Sequence, residues 1–200
     1  SSLMQGAGDG YFILPNTIGN YLSDKIKTSK PETGQEEFEK AEKQAQARID
    51  QLIAIKGTQT ATSFHKKLGG LMWDYCGMER NAEGLKKARE EVNKLKEQFW
   101  NDLKIPDIKH GLNQELEKAL RVADFFDLGQ LLIEDALNRN ESCGAHFRRE
   151  YQTEAGEALR NDQQYMYVAA WEYQGDNATP KLHKEELHYE FTEVKVRSYK

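Results

Sequence analysis

His183 and His188, in the run His183-Lys184-Glu185-Glu186-Leu187-His188, are the first place to look for metal chemistry. They stand five residues apart. On a strand that spacing points them to opposite faces, and on a helix it separates them by about 140°. Neither geometry brings both to one ion, and the order is not that of the His-Glu-x-x-His zinc helix. A solvated, charged strand edge is the favoured reading. Cys143 and His146, with Glu141 nearby, are the residue types of a thiol–imidazole nucleophile. A spacing of three does not distinguish that pair from an ordinary turn. Gly6-Ala7-Gly8-Asp9-Gly10 is glycine-rich like a phosphate loop, but it is not G-x-G-x-x-G and no strand precedes it. Close backbone packing explains alternate small residues better. Residue by residue, no active site emerges.

The elements that must position these residues are mostly helical. Phe38, Ala41, Ala45, Ile49, Leu52 and Ile53 form one stripe at spacings of three and four, and Gly57 is placed as its C-cap. Thr60 or Ser63 caps a second helix whose face carries Phe64, Leu68, Leu71, Met72, Tyr75 and Cys76, and Gly77 ends it. Asn81 caps a third, with Leu85, Ala88, Val92, Leu95, Phe99 and Leu103 inward and Pro106 beyond. The longest stripe is Leu112, Leu116, Ala119, Ala123, Phe126, Gln130, Ile133 and Leu137. Pro106 and Gly111 break the run, which argues against a long coiled coil.

After Glu150 the period becomes that of a strand. Tyr165, Tyr167, Ala169, Trp171 and Tyr173 alternate with their neighbours, Gly175-Asp176-Asn177 makes a turn, and Leu187 to Tyr199 alternates again. The expected fold is mainly α: an antiparallel bundle of three to four helices followed by a small β-hairpin and extended tail. The apolar, glycine-dense opening, Ser2 to Pro15, is expected to pack against a part of a longer protein. The domains expected are residues 1–30 as a linker and remnant, 31–150 as the bundle, and 151–200 as the strand-rich tail.

Composition narrows the function classes. The 200 residues carry a net charge of −5, are 30% charged and have a mean hydropathy of −0.83. Lysine and arginine are dispersed among acidic residues, so no nucleic-acid partner is expected. The longest apolar run, Tyr165 to Trp171, is far short of the roughly 20 residues of a membrane span. Cys76 and Cys143 are read as two reduced thiols.

One segment is more specific. Ala136-Leu137-Asn138-Arg139-Asn140-Glu141-Ser142-Cys143-Gly144-Ala145-His146-Phe147-Arg148 resembles the A-L-x-R-x-E-S-R-G-A-H-x-R segment of succinate dehydrogenase and fumarate reductase flavoprotein subunits. Met72 to Arg80 resembles their M…G-I-x-R turn, and Ser2-Leu3 looks like the end of their G-A-N-R-L-G-x-x-S-L stretch. The chief departure is Cys143, where the family usually has arginine. An arginine there would make bidentate contacts that a thiol cannot.

The resemblance implies the C-terminal part of such a subunit, whose complete form interconverts succinate and fumarate through FAD. It implies no catalytic residue within this chain and FAD contacts only at Ser2 and Leu3. The implied partners are the flavin-binding domain of the same chain, an iron–sulfur subunit and, through it, a membrane anchor subunit. The implied location is the cytoplasmic face of a bacterial inner membrane. The segment itself is expected neither to bind FAD tightly nor to be catalytic. L-aspartate oxidase is a related possibility, and a free-standing helical protein-interaction module is the reading from another class.

Overall fold

A computed structural model describes residues 2–106, 112–175 and 178–196. By contacts the chain divides into two units, Ser1–Gln46 and Ala47–Lys200. The first unit begins with one continuous helical segment: α1 (Ser2–Gly8), a π-helix (Asp9–Ile13) and α2 (Leu14–Leu22). Gly8 and Leu14, at the two ends of the π turn, keep right-handed helical angles, so the segment is not broken there. Pro15 lies in the first turn of α2. It lacks the N–H that Tyr11 C=O would accept in a regular α-helix. Asn16 Nδ2 donates to Phe12 C=O at 2.6 Å. No residue of these helices is buried.

The glycine-dense opening is therefore helical. A Cβ placed at Gly6, Gly8 or Gly10 would meet nothing within 4 Å, so close backbone packing does not account for these glycines. A long helix, α3 (Glu36–Ala54), starts in this unit with Glu36, Glu37 and Glu39 in its first turn, favourable toward the helix dipole.

In the second unit the last turns of α3 are followed by α4 (Ala61–Cys76), α5 (Ala82–Asp102) and α6 (Gln114–Asn138). Thr60 caps α4 through its hydroxyl, which accepts from Ser63 N–H at 3.2 Å. Asn81 caps α5 by accepting from Gly84 N–H at 2.7 Å. Asn113 caps α6 by accepting from Leu116 N–H at 3.1 Å. The three helices pack on one another as an antiparallel bundle with short connections. Phe64, Phe99 and Phe126 meet at its centre, with ring centroids 5.3 and 5.5 Å apart. Each such buried ring contributes roughly 1.5–3 kcal/mol by leaving water.

Two stripes differ from their sequence pattern. On α3 only Leu52 is buried, while Phe38 and Ile53 remain exposed. On α6 the buried set is Ala119, Val122, Ala123, Phe126, Gly129, Ile133 and Ala136, and Leu112 and Gln130 are not in it. This helix rests on both α4 and α5, so its inward face is wider than one line of a heptad. The small residues Gly129 and Ala136 let the helices approach: a Cβ on Gly129 would touch Met72 Sδ at 3.4 Å.

Gly57 is not the cap of α3, which ends at Ala54. Its N–H donates to Leu103 C=O at 3.0 Å, and a Cβ there would lie 1.9 Å from the Asp102 carbonyl carbon. The requirement for glycine is a crossing of two backbones. Likewise α5 ends at Asp102, ahead of Pro106. Gly111 lies outside the described residues.

The tail holds a one-turn helix, α7 (Asp162–Tyr165), and a two-stranded antiparallel hairpin of β1 (Tyr167–Glu172) and β2 (Lys181–Glu186). Tyr167, Ala169 and Trp171 face inward, as their alternation predicts. The second strand is displaced from its expected place: it is Lys181–Glu186, and residues 187–196 form no strand. Its six residues are mostly charged, and backbone pairing, Tyr167 with Glu186 through Glu172 with Lys181, forms it without an apolar pattern. Gly175 takes a φ of 110° in the connection, while Asp176, Asn177 and the expected strand end at 197–199 lie outside the described residues. Among the described residues no helix is long and apolar enough to cross a membrane.

Candidate functional site

The densest arrangement of charged and polar groups is the loop that follows α6. Arg139, its C-cap residue, donates to Glu141 Oε1 at 3.0 Å and to the carbonyls of Tyr165 and Tyr167 at 3.3 and 3.2 Å. Glu141 is 3% exposed, and its second oxygen accepts from Asn161 N–H at 2.8 Å. A buried carboxylate is tolerated only with such a full set of partners. Ser142 is fully buried; its Oγ accepts from Arg148 N–H at 2.8 Å and donates to Arg148 C=O at 3.1 Å.

Gly144, at φ 59°, turns the chain so that Cys143 and His146 exchange both backbone hydrogen bonds. Arg148, 2% exposed, donates to Ala136 C=O at 2.7 Å and to Glu150 at 3.2 Å. Glu150 reaches back to accept from Ala82 N–H at 2.5 Å. Burial acts to raise the Glu150 carboxyl, but the Ala82 amide, its own backbone and Arg148 together hold it below the ordinary carboxylate range.

Arg80, in the α4–α5 connection, is laid alongside this loop. Its N–H donates to Phe147 C=O and its C=O accepts from Arg149 N–H. Its guanidinium donates to Gly77 C=O at 2.9 Å and contacts His146 Nδ1 at 3.2 Å. Glu79 and Arg149 form an ion pair next to it.

His146 Nε2 lies 2.9 Å from Arg139 C=O. Both ring nitrogens are thus occupied by structural partners, and burial, with Arg80, Arg148 and Arg139 nearby, pushes the imidazole below its ordinary range against the opposing Arg139 carbonyl bond. A thiol needs a free base to become a nucleophile. The Cys143–His146 spacing therefore marks a turn, not a catalytic pair. Both cysteines are free, and burial raises the Cys76 thiol against the lowering effect of Arg80.

His183 stands on β2 and contacts Glu172 across the hairpin at 2.5 Å, while His188 lies beyond the strand near Glu186. Ser2 and Leu3 form the first turn of α1, with Leu3 84% exposed. The charged cluster of Arg80, Arg139, Glu141 and Arg148 was not singled out by type or spacing. Its only mark in the sequence is the density of arginine and glutamate around Ser142 and Gly144.

A family described as Fumarate reductase flavoprotein C-term matches residues 65–199, which contain this whole network. This chain belongs to that family. The succinate dehydrogenase flavoprotein subunit of Bacillus subtilis is 22% identical over 199 residues, covering 100% of this chain and 32% of that protein. An L-aspartate oxidase of Ralstonia nicotianae is 28% identical over 93 residues, 46% of this chain. A solved Escherichia coli quinol fumarate reductase variant superposes with a TM-score of 0.71 at 20% identity over 88% of this chain and 29% of its own, which shows a shared fold. The chain thus spans about a third of the length of such a relative.

Proposed function

We propose that this flavoprotein C-terminal region serves a subunit that interconverts succinate and fumarate through FAD. The observation that carries the reading is the family match over residues 65–199, which takes in both the arginine–glutamate network and the hairpin. The L-aspartate oxidase likeness, over 46% of the chain, supports a second reading within the same enzyme class. The match through the hairpin favours the succinate–fumarate branch. In this reading the bundle is a structural domain: its polar network fixes loops and performs no chemistry. The domains proposed are residues 1–30 as the junction to the flavin-binding domain, 31–150 as the bundle and 151–200 as the tail that packs back on that domain. An iron–sulfur subunit takes the electrons and a membrane anchor subunit holds the complex at the cytoplasmic face of a bacterial inner membrane.

Ser2 and Leu3 fit a flavin contact. A helix begins at Ser2, its first amides have no intrahelical acceptor, and the exposed Leu3 and Met4 offer apolar surface beside them. When bound, the flavin supplies a two-electron acceptor. The first-turn amides and the positive end of the helix dipole favour an anionic edge placed before them, an interaction worth about 0.3–1 kcal/mol when exposed and up to about 2 when partly buried.

Two measurements test the reading. The complete flavoprotein subunit is expected to reduce an artificial acceptor with succinate and not with L-aspartate; the reverse selectivity sinks it. Leu3→Pro in that subunit removes one donor at a position where a helix tolerates proline. The flavin potential is expected to fall, and an unchanged potential removes Leu3 from the contact. The 200-residue chain alone is expected to carry no stoichiometric flavin absorbance.

A further inference from the structure

His146 occupies the one place where the α4–α5 connection and the end of α6 are joined through a side chain that titrates near neutrality. The partners fix its tautomer. Arg139 C=O can only accept, so Nε2 carries the hydrogen. Arg80 Nη1 can only donate, so Nδ1 is bare and accepts. A second proton must therefore enter at Nδ1, the atom that faces a guanidinium. Protonation and the Arg80–His146 hydrogen bond exclude each other.

We propose that His146 is a proton-operated latch: neutral, it ties the Gly77–Arg80 turn to the C-terminal cap of α6, and protonated, it lets that turn go.

The surroundings supply no counter-charge for an imidazolium. Arg80 from the α4–α5 connection, Arg139 from the end of α6 and Arg148 from the following loop all bear on the ring, and Cys76 on α4 lies within electrostatic reach of Arg80. The carboxylates nearby are committed. Glu141 is held by Arg139 and Asn161, Glu150 by Arg148 and Ala82, and Glu79 by Arg149. Among the described residues no ion pair joins a carboxylate to His146 or Arg80, so a proton added there has nothing to balance it. Burial of the ring works in the same direction.

What the latch holds is specific. Arg80 pairs by its backbone with Phe147 and Arg149, at 2.9 and 2.8 Å, and its guanidinium closes the turn onto Gly77. That turn presents Met78, 90% exposed, to the surroundings. Release leaves the bundle core untouched and frees the turn together with its bridge to the loop.

Hydrogen exchange on the complete chain tests this, read at the Arg80 and Arg149 amides between about pH 8 and pH 5 and corrected for intrinsic rates. The ordinary histidine value is about 6.5. Below it the protection of both amides is expected to fall about tenfold per pH unit, because the released state binds one more proton than the latched one. His146→Gln keeps a donor for Arg139 and an acceptor for Arg80 but cannot take the proton, so its protection is expected to stay flat. A flat wild-type profile, or a parallel fall in the variant, overturns the proposal. If His146→Gln does not fold, nitrogen-15 spectra of wild-type His146 decide: protonation of Nδ1 with Arg80 and Arg149 still protected overturns it, and coincident loss supports it.

Discussion

Glu141 shows what a buried charge does in this fold. Its two oxygens hold Arg139 at the end of α6 and the Asn161 amide ahead of α7, so one carboxylate joins the bundle to the tail. Removing it leaves Arg139 half-buried beside two carbonyls and two tyrosine rings, with its anionic partner gone. Glu141→Ala is expected to cost about 3–5 kcal/mol in urea unfolding, the usual effect of taking one member from a buried pair. Glu141→Gln keeps an acceptor for the amide and should lose less. These residues were visible in the sequence as a resemblance, but their physical role was not. Spacing does not reveal that an arginine is 2% exposed, and the Cys143–His146 pair looked like chemistry because carbonyl partners such as Arg139 C=O leave no trace in side-chain types.

Among the elements, the joint between the α3–α4 connection and the end of α5 is the tightest. Asp102 accepts from Gln59 Nε2 at 2.8 Å, from Thr58 N–H at 2.7 Å and from the Thr58 hydroxyl at 3.0 Å. These bonds, Gln59 foremost, hold its carboxyl below the ordinary aspartate range. A folded-state value below the unfolded one gives stability that is full above the unfolded value of about 3.9 and lost as pH falls through the folded value. The stability gap between wild type and Asp102→Asn, read as the difference in Tm, is therefore expected to be widest near neutrality and to close in acid. An equal gap at all pH values would show that the charge of Asp102 is irrelevant. Gly57 crosses the Asp102 backbone at the same joint, and Gly57→Ala is expected to cost on the order of 4 kcal/mol, or to yield no folded protein in thermal melts. The sequence made Gly57 legible as a special position but assigned it to the wrong cause, since a C-cap and a backbone crossing both select glycine. The caps at Thr60 and Asn81 were legible because their mechanism is local. The β2 strand was not, because its register depends on β1 and its own residues carry no alternation.

At the scale of the whole molecule, the three-helix core followed from apolar periodicity, which is why α4, α5 and α6 were readable and the partly exposed α3 was over-read. A stripe predicts that a face is apolar; it does not predict what covers it. The N-terminal unit makes the same point, with Leu3, Met4, Tyr11, Phe12, Ile13 and Leu14 all exposed. Exposed apolar area of this kind drives association. The chain is expected to self-associate with concentration in analytical ultracentrifugation, and replacing Tyr11, Phe12 and Ile13 by serine should return it toward the monomer. Unchanged association in that variant would place the contact elsewhere.

The π turn at Asp9–Ile13 sits immediately ahead of Pro15, whose ring cannot donate to Tyr11 C=O. A wide turn takes up one residue more than a regular turn, so everything on its amino-terminal side is rotated by about 100° around the axis relative to an uninterrupted α-helix. The compass bearing of Ser2 and Leu3 is thus written by a proline well over two turns away, and an imino acid that touches neither residue decides which way their amides aim.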